Sequence, residues 1–112
     1  MMPQAAAFLE ENERLLDLVS PLSAVQMERP TAFKGWTFNH VFRHLHVWNQ
    51  AADWSLADDG RFEEFMKILG ASKALAGGGL RPFEVEYLDG LSGRELISDW
   101  ADNFRKTAAS FG

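Results

Sequence analysis

All three histidines of the chain, His40, His44 and His46, fall within residues 35–52, GWTFNHVFRHLHVWNQAA, together with Trp36, Trp48 and Asn49. Side chains four residues apart on a helix lie one above the other, so His40 and His44 have the spacing with which two imidazoles grip one metal ion. The same spacing suits a core-edge imidazole bonded to a neighbouring helix, and spacing alone leaves both readings open. Trp36 and Trp48 read first as core filler, and only second as the walls of a substrate platform. Cysteine is absent, so a metal would have to rest on imidazole, carboxylate, amide or water. Other motifs fail. The glycine triplet at 77–79 follows a helical segment and lacks the Lys and Ser/Thr of a phosphate loop, so it reads as a linker. No serine stands in a G-x-S-x-G elbow, which removes the ordinary hydrolase reading.

The elements that would position these residues are helical. From Gln4, the residues Phe8, Asn12, Leu15, Leu16 and Val19 recur at helical spacing, and Pro21 ends the run. Ser23 and Gln26 have capping-box spacing before one or two turns over 24–28. Thr37 is a good N-cap for a helix from 38 to about 56. Its expected core stripe is Phe38, Val41, Phe42, Leu45, Trp48, Asn49, Ala52 and Leu56. On that wheel His44 lies at the core edge, His40 further out and His46 on the solvent side. One helix is expected from 61 to about 75. The segment RPFEVEYLD reads as a short helix with Phe83, Tyr87 and Leu88 together, since nothing offers it a partner strand. Ser92 and Glu95 form a capping box, with Leu91 and Leu96 placed as a hydrophobic staple. The stripe Leu96, Ile97, Trp100, Ala101, Phe104, Ala108 and Phe111 then runs to the end. The sum is three principal helices, roughly 4–20, 37–57 and 92–111, and two shorter ones.

Composition limits what these helices can belong to. A chain of 112 residues supports one core, so 1–112 is expected to be a single helical domain. With 46% hydrophobic residues it has the material for that core, and a formal charge of -5 with scattered basic residues argues against a nucleic-acid or anionic-membrane surface. No apolar run approaches the ~18 residues of a membrane span. A cytoplasmic protein is the expectation, and the lack of cysteine fits a reducing compartment.

The segments RPTAFKGWTFNHVFRHLHVWNQAADWSL and LRPFEVEYLDGLSGRELISDW, with the opening helix, resemble the DinB-like superfamily. The likeness is to the branch related to the N-terminal domain of mycothiol-dependent maleylpyruvate isomerases. Its most specific part is the W-T-x6-H-L pattern of Trp36, Thr37, His44 and Leu45. The resemblance implies an all-α, up-down four-helix bundle that binds zinc or nickel through a histidine on its second long helix and two ligands on its last. It also implies use of a low-molecular-weight thiol.

Carried onto this sequence, the implied metal ligand is His44, with Trp48, Asn49 and Asp53 as pocket candidates. Relatives tend to carry an acid at the position of His40, which speaks against a His40–His44 chelate. The histidine-bearing fourth helix has no counterpart in these 112 residues, so the expectation is a partial bundle, truncated before its last helix, with an incomplete active site. The alternative is a non-catalytic oligomerisation or interaction protein. Exposure of Trp100, Phe104 and Phe111 would then drive a homodimer.

Overall fold

The computed structural model describes residues 3–32 and 34–110. Among these are seven helices: α1 (Pro3–Val19), α2 (Ala24–Met27), α3 (Phe38–Ala57), α4 (Arg61–Ala71), α5 (Lys73–Gly78), α6 (Leu80–Tyr87) and α7 (Gly93–Ser110). No strand occurs among the described residues, and one isolated bridge joins Pro30 to Thr37. The fold is an all-α bundle in which α7 lies between α1 and α3, with α4 to α6 forming a lobe on the far side of α3.

Local chemistry sets the helix ends. Ser23 and Gln26 form the capping box expected at α2, with Gln26 N–H donating to Ser23 Oγ at 3.1 Å and Ser23 N–H to Gln26 Oε1 at 2.8 Å. Thr37 caps α3 by accepting from His40 N–H at 3.1 Å, and the reciprocal partner is His40 Nδ1, 3.3 Å from Thr37 N. The left-handed Asp58 and Gly60 then turn the chain out of α3.

Two helix boundaries differ from expectation. The helix foreseen over 61–75 is broken at Ser72, whose extended backbone and hydroxyl, accepting from Leu75 N–H at 3.1 Å, start α5 afresh. Gly77 and Gly78 belong to α5 and are not a linker; only Gly79, at φ +86°, makes the turn into α6. Gly78 is needed for packing, since a Cβ there would stand 2.6 Å from Pro82 Cγ. The short helix expected around Phe83 and Tyr87 is α6.

The core has two parts, one on each side of α3. In the first, Val19, Met27, Phe42, Leu96, Ile97, Trp100, Ala101 and Phe104 pack together, with Trp100 edge-on to both Phe42 and Phe104 at 4.8 Å. In the second, Val47, Ala51 and Phe83 surround Phe65, which also meets Trp48, Trp54 and Tyr87 ring to ring. Trp100 and Phe104 are therefore fully buried, against the expectation that they would be left exposed, because α7 has a long helix on either side of it. Phe111, expected to share that exposure, and Gly112 lie outside the described residues.

The buried face of α3 is also rotated from the expected stripe. Asn39, Phe42, Arg43, His46, Val47 and Ala51 are buried, whereas Phe38, Val41, Leu45, Trp48 and Asn49 are half-buried and Leu56 is 65% exposed. The cause is polar anchoring. Asn39 donates to Glu28 Oε1 at 2.6 Å and accepts from Gly93 N–H at 2.9 Å, and Arg43 Nε donates to the Leu91 carbonyl at 2.8 Å. Buried polar groups with partners are tolerated inside, so residue type alone misplaces them. Of the stripe read from sequence, Asn49, Ala52 and Leu56 instead border a groove of about 260 Å³ between α1 and α3, lined also by Gln4, Ala5, Phe8, Asp53 and Thr107.

Candidate functional site around His44

His44 lies mid-way along α3, one turn before Trp48, and both side chains reach across to Glu84 on α6. His44 Nδ1 is 2.7 Å from Glu84 Oε2, and Trp48 Nε1 donates to the same oxygen at 2.8 Å. Glu84 is 1% exposed, whereas the His44 side chain is 37% exposed. The other carboxylate oxygen, Glu84 Oε1, is buried and has no partner among the described residues. Trp36 meets the His44 ring edge-on at 5.7 Å, and the Arg81 guanidinium lies over Trp36 at 5.4 Å. The half-open imidazole thus has a buried acid on one side and an indole backed by a cation on another.

The remaining predicted residues separate into two places. Trp48 belongs with His44. Asn49 and Asp53 instead line the groove between α1 and α3, where Thr107 Oγ1 donates to Asp53 Oδ2 at 2.5 Å. His46, expected toward solvent, is 4% exposed, because this turn of α3 packs against its neighbours on two sides. His40 is half-buried, and its Nδ1 is engaged in the cap of α3. Glu84 was missed by sequence reasoning. Its signal was legible, since positions 83, 84, 87 and 88 share one helical face, and a carboxylate on an otherwise apolar stripe calls for a buried donor.

Two imidazoles are held away from protonation. Burial lowers the pKa of His46, opposed by Asp99. Burial lowers that of His40 as well, helped by the positive charges of Arg43 and Arg81 and opposed by Glu28 and Glu84. Both folded values lie below the ordinary 6.5. Above that pH neither state gains a proton. Below it the unfolded chain takes up protons that the fold refuses, so stability falls with pH until the folded values are reached. Urea midpoints are therefore expected to decline from pH 7 toward pH 5, ahead of carboxylate protonation. His40→Gln keeps a capping-box partner and removes one titrating group, and is expected to show a shallower decline; an unchanged slope would clear His40 of any share in it.

The family model for the mycothiol maleylpyruvate isomerase N-terminal domain matches residues 8–112, which takes in the whole of α3, α6 and α7. The chain belongs to this family. Two relatives, uncharacterized proteins from two strains of Mycobacterium tuberculosis, are each 31% identical over 98 residues. The alignment covers 88% of this chain and 37% of each relative, so the chain spans little more than a third of their length. No solved structure gives a significant match. The family is associated with metal and thiol, but no group of three or more His, Cys, Asp or Glu poised for a metal occurs among the described residues. No described helix is long and apolar enough to cross a membrane.

Proposed function

We propose that this chain forms one wall of a divalent-metal site that handles a small thiol, and that His44 is its ligand. The observation that carries the reading is the state of the three imidazoles. His44 alone combines a buried carboxylate partner with a side chain left 37% exposed, whereas His40 serves a cap and His46 is enclosed. No group of three or more potential ligands occurs among the described residues. A catalytic zinc normally takes three protein ligands and keeps one open position, so this reading requires further ligands besides His44. When bound, zinc or nickel would lower the pKa of a thiol or water and provide a nucleophile at neutral pH. Trp48 supports the ligand through Glu84, whereas Asn49 and Asp53 line the separate groove between α1 and α3 and have no part in this reading. A cytoplasmic location, favoured by the cysteine-free sequence, accords with this use.

The test is zinc and nickel binding measured by competition with a chromophoric chelator, for the wild type and for His44→Ala. A loss of tenfold or more in the variant is expected, and equal affinity would remove His44 as a ligand.

A second reading, self-association, is favoured by the half-covered stripe of α3. Leu56 is 65% exposed at the end of a groove whose surface is mostly apolar. A two-fold dimer would cover that face in both copies. Light scattering at low micromolar concentration is expected to give a dimer mass that Leu56→Glu reduces to that of a monomer. A monomeric wild type would count against the reading.

A further inference from the structure

We infer that Glu84 is a positioning residue that holds His44 in its Nδ1–H tautomer, so that Nε2 carries the ring's free lone pair. The argument begins at Trp48, whose indole N–H can only donate. Its bond to Glu84 Oε2, at 2.8 Å, selects one carboxylate oxygen and fixes the plane of the group. The same oxygen lies 2.7 Å from His44 Nδ1, and a carboxylate oxygen already accepting one hydrogen bond is an acceptor for the second as well. A carboxylate has no proton to donate, so with Glu84 in that form Nδ1 carries the proton of this bond. With Glu84 1% exposed, water does not compete for that oxygen. In water a neutral imidazole favours the opposite tautomer, with the proton on Nε2, so the fold has reversed the default.

A histidine whose second nitrogen donates to a carboxylate is fixed in orientation and made a better ligand or base at its first. The tautomer claim stands without any metal; only its use as a ligand rests on the proposed function. Glu84 lies 40 residues from His44, on the separate lobe, so the lobe's packing sets the chemistry of the α3 imidazole.

Nitrogen-15 spectra of the histidine rings distinguish the two tautomers directly. They would be recorded on metal-free protein at about pH 8, where ordinary imidazoles are neutral, with His44 assigned by its loss in His44→Ala. The wild type is expected to show Nδ1–H at His44. Trp48→Phe leaves the carboxylate in place and Glu84→Gln retains a carbonyl acceptor, so both are expected to keep it. Glu84→Leu removes the acceptor and is expected to shift His44 toward Nε2–H. A wild type already in the Nε2–H form would overturn the inference, even if Glu84→Leu fails to fold, and so would a folded Glu84→Leu with an unchanged tautomer. Zinc added to the same proteins separates this inference from the metal reading. A loss of about 10–100-fold in affinity in Glu84→Leu, largely rescued by Gln, supports both. The expected tautomers with equal, negligible zinc affinity throughout would uphold the role of Glu84 and defeat the ligand assignment.

Discussion

Trp100→Ala should cost about 3–5 kcal/mol, the range for emptying a fully enclosed aromatic site. The indole has 0% exposure and sits edge-on to both Phe42 of α3 and Phe104 of its own helix, so its removal opens a void in the first core cluster. Domains of this kind are stable by only about 5–15 kcal/mol, so the variant loses about a fifth or more of its margin. Urea denaturation followed by circular dichroism should show the midpoint falling with little change in slope. Trp48→Ala is the useful contrast, because its ring is only half-buried at the edge of the second cluster. A Trp100→Ala cost below 1 kcal/mol would mean that the first cluster does not hold the bundle together.

Asn39→Ala is the second large effect, for a polar reason. One 1%-exposed amide joins three elements: its Nδ2 donates to Glu28 beyond α2, and its Oδ1 accepts from the first N–H of α7. Removing it leaves the Gly93 N–H and the Glu28 carboxylate without those bonds. Glu28 is exposed and Gly93 half-buried, so neither is stranded in the interior; at about 1.5–3 kcal/mol for the bond to a carboxylate and about 0.5–1.5 kcal/mol for the neutral one, a total loss of about 2–4 kcal/mol is expected. Thermal denaturation measures it, at about 4 °C or more per kcal/mol for a domain of this size. Asn39→Asp sharpens the result, because it keeps the acceptor for Gly93 but sets a second carboxylate against Glu28. A loss comparable to that of Ala would place the weight on the Glu28 bond. Near wild-type stability in Asn39→Ala would show that solvent replaces both bonds.

Asn39 also marks where sequence reading stops. Helix existence was legible because capping residues are local: Thr37, Ser23 and the breakers Pro21 and Gly79 each act within four positions. The family was legible through Trp36, Thr37, His44 and Leu45. The orientation of α3 was not, because a hydrophobicity wheel places Asn39, Arg43 and His46 outside, and the partners that bring them in are distant in sequence. Leu91 lies 48 residues from Arg43, and Gly93 lies 54 from Asn39. The same limit applied to the site. His44 could be singled out as a candidate from its own segment, whereas its pairing with Glu84 required knowledge that α6 packs on α3. Trp100 and Phe104 were correctly read as an apolar face, but which helices flank α7 is a matter of topology that periodicity does not contain. Ser72 broke a helix that composition alone would have continued.

The division of the core by α3 has a consequence for motion. The lobe of α4, α5 and α6 packs on Val47 and Ala51 through its own aromatic cluster, and Trp100 and Phe104 belong to the other side. Such a lobe is a natural cooperative unit of partial unfolding, with an opening free energy below that of the whole domain. Glu84 is part of that unit and His44 is not. Each opening would therefore detach the acid from the imidazole while α3 stayed helical. The fraction of time that His44 keeps its buried partner is then a local equilibrium, tunable by residues such as Phe65 and Phe83 that never touch the ring.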